Sequence, residues 1–334
     1  MTTRRRLIIA LGATLLEAEA LIAGTRHASG QPQARIPRVG MLIFGLGEEP
    51  YSKRAIAVFR QRLAELGYVE GKTVLIDARY AEGNAQRLTD LARDLAAIEV
   101  DVIVTVASAA TTAARQATSA IPIVMVHAGN PVGVGLIASL ARPGGNVTGT
   151  TNLPLGGKLV DLIRELVPRA AKVAVLTNPT SPGAPPIVAA MTDAARQSNI
   201  DVVVAEVARA EDFPNAFTMI RNARPDGLLV AVEPFVGKHI AEVIGFAATT
   251  RLPAIYDSGE PVRLGGLIAY ATVYIEHYAL AADYVAKILK GAKPGDLPVQ
   301  QPARFELIIN LKTAKALGLT IPQSLLLRAD EVIQ

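Results

Sequence analysis

Four histidines, His27, His127, His239 and His277, are scattered over 334 residues that contain no cysteine. Histidine is the side chain that most readily moves protons or holds metals near neutral pH. No two of the four are spaced as HxxxH or HExxH, and no thiolate is available, so no metal site is expected. Neither a Gly-x-Ser-x-Gly elbow nor a phosphate-binding loop of the P-loop kind occurs. Two glycine fragments approach a dinucleotide fingerprint. Gly45-Leu46-Gly47 meets Pro50 where the third glycine belongs. Gly133-Val134-Gly135 stands away from its strand, and the next strand ends in Thr150-Thr151-Asn152 rather than in an acid for the ribose hydroxyls. No catalytic residue and no cofactor are expected.

What remains is a set of mostly short polar residues where apolar runs end: Phe44-Gly45, Ser108-Ala109, His127 with Asn130, and Asn152 in the first half of the chain. Asn178, Ser181, Glu233 and Asp257 follow in the second half. Ser108 and Ser181 each precede a stretch patterned for a helix. A helix N-terminus offers unpaired N–H groups that suit a carboxylate or another anion. These groups hold and orient a molecule; none of their spacings forms an acid/base pair around one carbon.

The elements that carry them alternate. Apolar runs at 39–44, 74–78, 102–106 and 121–126 are separated by stripes at helical spacing, such as Ala55, Phe59, Leu63 and Leu66. Strands apolar throughout and joined by helices indicate a parallel sheet covered on both faces. The pattern then recurs: 172–177 resembles 38–43, 202–206 resembles 74–78, 226–230 resembles 101–105 and 252–256 resembles 120–124, at offsets of 125–134 residues. Two copies of one α/β unit, hence two doubly wound parallel-sheet lobes with a cleft at the carboxyl ends of their strands, are the expected fold. Strands at 266–271 and 305–309, a helix at 275–290, and a short helix capped by Asn310 and stopped by Gly318 complete the chain. Several crossings between lobes make a hinge.

The formal net charge is +4, and Arg4, Arg5, Arg6 and Arg26 contribute to it. No basic run interleaved with aromatics follows, so nucleic acid is not an expected partner. Arg4–Arg6, the apolar run 7–16 and Ala28-Ser29-Gly30 fit a signal peptide over 1–30. Sec and twin-arginine export stay open. The run is too short to span a bilayer and no later segment has 18 uninterrupted apolar residues, so an integral membrane protein is not expected. Without cysteine, a lipid anchor on an N-terminal Cys is excluded.

Longer motifs carry a resemblance. They are Ile121-Pro122-Ile123-Val124, Asn130-Pro131-Val132-Gly133, and the run from Ser139 to Gly149. Gly265-Gly266-Leu267 with Tyr270, the run from Ile288 to Pro294, and Lys312 to Pro322 followed by Ala329 to Ile333 belong with them. Over about 35–334 the chain resembles the ABC-transporter substrate-binding protein family that includes the tryptophan/tyrosine-type binding proteins. The resemblance implies a type I periplasmic-binding fold, a periplasmic location, and delivery to an ABC permease and its ATPase subunit. It implies a first lobe of 36–128 plus 273–295 and a second of 146–271 plus 298–334. It adds Tyr270 to the ligand residues, although Ala269-Tyr270-Ala271 replaces the family's usual Ser-Tyr-Gly. Asn130 stands where the family usually has Asp.

The expected function is capture of an amino-acid-like molecule or small organic anion by lobe closure, in a monomer. N–H groups and the hydroxyl at Ser108-Ala109 would take a carboxylate, Asp257 or Glu233 an ammonium, and Phe44 or Phe235 an apolar side chain. Two alternatives share the fold: an enzyme, such as a racemase or a nicotinamide-dependent oxidoreductase, and a sensory subunit that presents its ligand to a receptor.

Overall fold

Unbroken apolar runs such as 102–104 and 228–230 form the central strands, while strands nearer the sheet edges carry polar residues as well. The structure, a computed structural model, describes residues 35–45, 47, 50–181 and 183–334. The expected signal peptide, 1–30, lies outside the described residues. The first sheet comprises β1 (Arg38–Ile43), β2 (Leu75–Tyr80), β3 (Val102–Val106), β4 (Ile123–Ala128) and β5 (Val147–Thr151). Their order is β2-β1-β3-β4-β5, all parallel. Helices α1 (Pro50–Glu65), α2 (Ala85–Ala97) and α3 (Ala107–Ala117) connect the first four strands. A boundary at residue 146 allots β5 to the second lobe. It pairs instead with β4 in the first sheet, because Val147, Thr148 and Gly149 lie in register with Ile123, Val124 and Met125.

The chain then crosses to α4 (Gly156–Leu166), β6 (Lys172–Thr177), α5 (Ala184–Gln197), β7 (Asp201–Glu206), α6 (Phe213–Ala223) and β8 (Gly227–Val230). Next come α7 (Pro234–Lys238), α8 (Ile240–Thr250), β9 (Ala254–Tyr256), α9 (Glu260–Arg263) and β10 (Ile268–Thr272). Helix α10 (Tyr274–Leu289) returns to the first sheet: its Tyr278, Ala281 and Val285 share a buried cluster with Phe59, Leu63 and Val104. A last crossing leads to β11 (Phe305–Asn310), α11 (Leu311–Leu317), α12 (Gln323–Leu326) and β12 (Glu331–Ile333). Asn310 caps α11 by accepting the Thr313 N–H, and Gly318 ends it at φ +74°.

The second sheet runs β12-β11-β10-β9-β8-β6-β7. It is not wholly parallel, since β11 pairs antiparallel with β10. Its segment β9-β8-β6-β7 repeats the order β4-β3-β1-β2 of the first, as the sequence offsets imply. In both sheets the strand order reverses beside the opening strand, between β1 and β3 and between β6 and β8. Ligands of open α/β sheets bind at such switch points, beyond the carboxyl ends of the strands. Each sheet is buried on both faces by an apolar cluster.

Candidate functional site

Both switch points open onto one cavity of about 430 Å³. The first lobe contributes Phe44 and Gly45 after β1, Ala107–Ala109 at the start of α3, and His127 and Gly129 at the end of β4. The second contributes Asn178, Ser181 and Gly183 after β6, Glu233 after β8, and Asp257 after β9. Asn152 lines it from one crossing, and Thr272 with Tyr274 from another. Ten of the twelve residues singled out in the sequence thus border this cavity.

Asn130 and Tyr270 do not. Asn130 is exposed at φ +48°, and its Oδ1 accepts the Gly133 N–H at 3.1 Å, so it shapes a surface turn. Tyr270 lies within β10 and stacks on Phe305 with ring centroids 5.8 Å apart. Phe235, expected beside an apolar ligand group, packs against Phe213 and His239 instead and is not part of the lining. Tyr256 is buried in the second-lobe core.

The first turn of α3 has no side-chain cap, so its leading N–H groups lie at the cavity wall without a side-chain acceptor. Its first residue, Ala107, holds φ +66°, and His127 holds φ +43°. Such conformations cost energy in residues with a Cβ and persist where surrounding structure imposes them, commonly at ligand clamps. The Ser108 hydroxyl is already engaged. Its Oγ accepts the Gly129 N–H at 2.7 Å and donates to the Gly129 carbonyl at 3.1 Å. What the first turn of α3 can offer an anion is therefore its backbone N–H groups, since the hydroxyl fastens the neighbouring loop.

The second lobe brings acidic groups to the same cavity. Glu233 accepts the Val236 and Phe235 N–H groups at 2.7 and 3.1 Å, capping α7, and Asn178 also bonds to its side chain. Asp257 is buried and accepts the Val232 N–H at 2.8 Å. Burial pushes its carboxyl up to about 7, and the charge of Glu233 adds to the rise. Both oxygens of Glu233 serve the cap, so Asp257 is the better placed of the two to answer a cation.

A histidine–tyrosine group occupies the hinge side. His127 lies 4.8 Å from Tyr274 and 6.4 Å from His277, ring centre to ring centre. Thr150 Oγ1 accepts the backbone N–H of His127 at 2.9 Å and lies 2.8 Å from His277 Nδ1. Burial drives His127 down to about 3, with repulsion from His277 adding to it, and burial takes His277 to about 4. Both rings are neutral at pH 7. Tyr51 OH, Asn152 Oδ1 and Thr272 Oγ1 are buried without a hydrogen-bond partner, and all three residues line the cavity.

Sequence reasoning missed Tyr274, Thr272, Arg54 and Lys238 as lining residues. Thr272 ends β10, so a walk to the carboxyl end of that strand would have found it. Tyr274 belongs to a helix of the other lobe, and no local pattern marks that return. Among the described residues, no group of three or more His, Asp or Glu could hold a metal ion, and no helix is long and apolar enough to cross a membrane.

Comparison with known proteins adds an independent line. The sequence model of the family described as "ABC transporter substrate binding protein" matches residues 48–333. A tyrosine-binding protein of Clostridioides difficile is 28% identical over 82% of this chain and 79% of its own length. A conserved domain protein from Vibrio cholerae has a solved structure that superimposes with a TM-score of 0.83 at 29% identity, covering 89% of this chain and 100% of that one. The structure of an ABC domain from Streptococcus pneumoniae in complex with L-Trp gives a TM-score of 0.82 at 26% identity, covering 89% and 99%.

Proposed function

The chain belongs to the ABC transporter substrate binding protein family, and on that premise we propose that it captures an aromatic amino acid between its lobes and delivers it to an ABC permease. The observation that carries this reading is the meeting of complementary groups in one cavity. Uncapped N–H groups of α3 suit a carboxylate. Asp257 opposite suits an ammonium, and Phe44 and Tyr274 supply aromatic walls. The unpartnered Asn152 Oδ1 and Thr272 Oγ1 gain partners from a polar ligand; buried polar groups are otherwise costly to leave unpaired. The relatives described as tyrosine-binding and as complexed with L-Trp support this choice of ligand.

In this reading Phe44, Gly45, Ala109, His127, Asn152, Asn178, Ser181, Glu233 and Asp257 form the ligand shell, and Ser108 braces it. The protein works outside the cytoplasm after removal of 1–30, as a binding subunit and not as an enzyme. The first lobe spans 36–151 plus 273–295, moved from the sequence-derived limit to include β5, and the second spans 156–271 plus 298–334. Closure is the working event: a ligand that touches both lobes favours the closed form over the open one.

Thermal unfolding of the purified mature chain with L-tyrosine, L-tryptophan, L-phenylalanine and a neutral sugar tests the reading. A ligand at a hundredfold excess over its Kd stabilises by about 2.7 kcal/mol. Aromatic amino acids are expected to raise Tm and the sugar is not. A flat response to all three amino acids overturns the proposal.

A further inference from the structure

We infer that Gly129 and Gly183 determine how far the lobes close and thereby set ligand affinity, an inference that rests on the cleft being the ligand site. Gly129 follows the first-lobe strand β4, and Gly183 precedes the second-lobe helix α5. The two backbones touch. A Cβ on Gly129 would stand 3.0 Å from the Cα of Gly183. One on Gly183 would stand 3.3 Å from Ser108 Oγ and 3.5 Å from the Cα of Gly129.

Neither glycine is needed for its own backbone conformation. Neither has a positive φ, and Gly183 sits at φ −87°, ψ −14°, which any residue adopts. What a side chain would crowd is chiefly the opposite lobe, which would have to give by a few tenths of an ångström. The first-lobe side of the contact cannot easily retreat, because Ser108 Oγ holds both the N–H and the carbonyl of Gly129. Lobes that part relieve the crowding, so a side chain at either position penalises this arrangement relative to a more open one.

Other contacts across the cleft are adaptable. Lys238 Nζ reaches the Glu82 carbonyl at 3.5 Å, and Phe235 packs on apolar residues of both lobes. Long side chains can follow a small change of angle; a Cβ set against opposing backbone has less room to do so. The glycine pair is therefore the stop that fixes the closed geometry and, with it, how fully the ligand shell assembles.

The test compares Gly129→Ala, Gly183→Ala and Gly183→Val with the wild type. Calorimetric titration with L-tyrosine and L-tryptophan is expected to show weakening by several-fold for the alanines and by about tenfold or more for the valine, each tenfold being about 1.4 kcal/mol. The ligand-free Tm is expected to stay at the wild-type value. A second measurement needs no ligand. Because the chain lacks cysteine, Glu82→Cys with Lys238→Cys places a single thiol pair across the cleft, and the rate of bridging by a short bis-maleimide reports closure. Gly183→Val in that background should slow bridging several-fold. Unchanged affinities with unchanged bridging, or a ligand-free Tm that falls in step with affinity, overturn the inference. A wild type that binds neither amino acid overturns the proposed ligand instead, and the bridging rate then decides the glycine inference by itself.

Discussion

The carboxyl of Asp257 is buried within electrostatic reach of Glu233, and burial together with that charge brings it to about 7. A ligand ammonium at this position requires the ionised form. Below about pH 7 binding must first remove a proton, so affinity for an aromatic amino acid is expected to fall with decreasing pH, approaching tenfold per unit. Above it affinity should level off. Titration calorimetry from pH 5.5 to 8.5 checks this, and a flat profile would remove Asp257 from the ammonium site.

Ligand-free stability moves in the opposite sense. The folded pKa of Asp257, about 7, lies above its ordinary value of 3.8. The unfolded chain therefore loses this proton first as pH rises, and stability drops between about pH 4 and 7 and is flat above. Asp257→Asn keeps an oxygen for the Val232 N–H and removes the buried charge. It is expected to raise the ligand-free Tm at pH 8 while weakening amino-acid binding. A lower Tm with weaker binding would mark a purely structural role.

The histidines predict acid sensitivity. His127 and His277 sit well below the ordinary 6.5, at about 3 and about 4, because burial disfavours their charged forms. The unfolded chain takes up both protons near pH 6.5, so stability should decline as pH falls from there toward 4, by up to about 1.4 kcal/mol per unit for each ring. Replacing His277 with Gln keeps a hydrogen-bonding group near Thr150 and should remove part of that decline in denaturant titrations at pH 7 and 5. An unchanged pH slope would show that other groups dominate acid unfolding.

Much of the fold is legible because β3, β4 and β6 are apolar on both faces, and because the repeat at 125–134 residues carries the strand order with it. The β5 boundary is not legible: Val147-Thr148-Gly149 lacks an unbroken apolar run, and its pairing with β4 is tertiary. The site divides in the same way. Strand ends such as Asn178, Glu233 and Asp257 can be read from where apolar runs stop. Asn130 shows the limit of reading strand ends, and Tyr270, which the resemblance implied, the limit of carrying over a motif. A residue near a strand end still faces either the cleft or elsewhere, and a turn hydrogen bond or a ring stack decides which.

Ser108→Ala tests the brace that Ser108 forms with Gly129. The substitution leaves the Gly129 N–H and carbonyl without the hydroxyl that joins them at 2.7 and 3.1 Å. Losing partners for fully buried polar groups costs about 1–3 kcal/mol and less for part-buried ones like these, so a modestly lower Tm is expected even without ligand. Ligand affinity should fall as well, because the loop carrying Gly129 then no longer holds its place against α3. Ser108→Thr retains the hydroxyl and should restore most of the Tm. Full stability in the alanine variant with loss of binding would reverse the assignment and place the hydroxyl directly on the ligand.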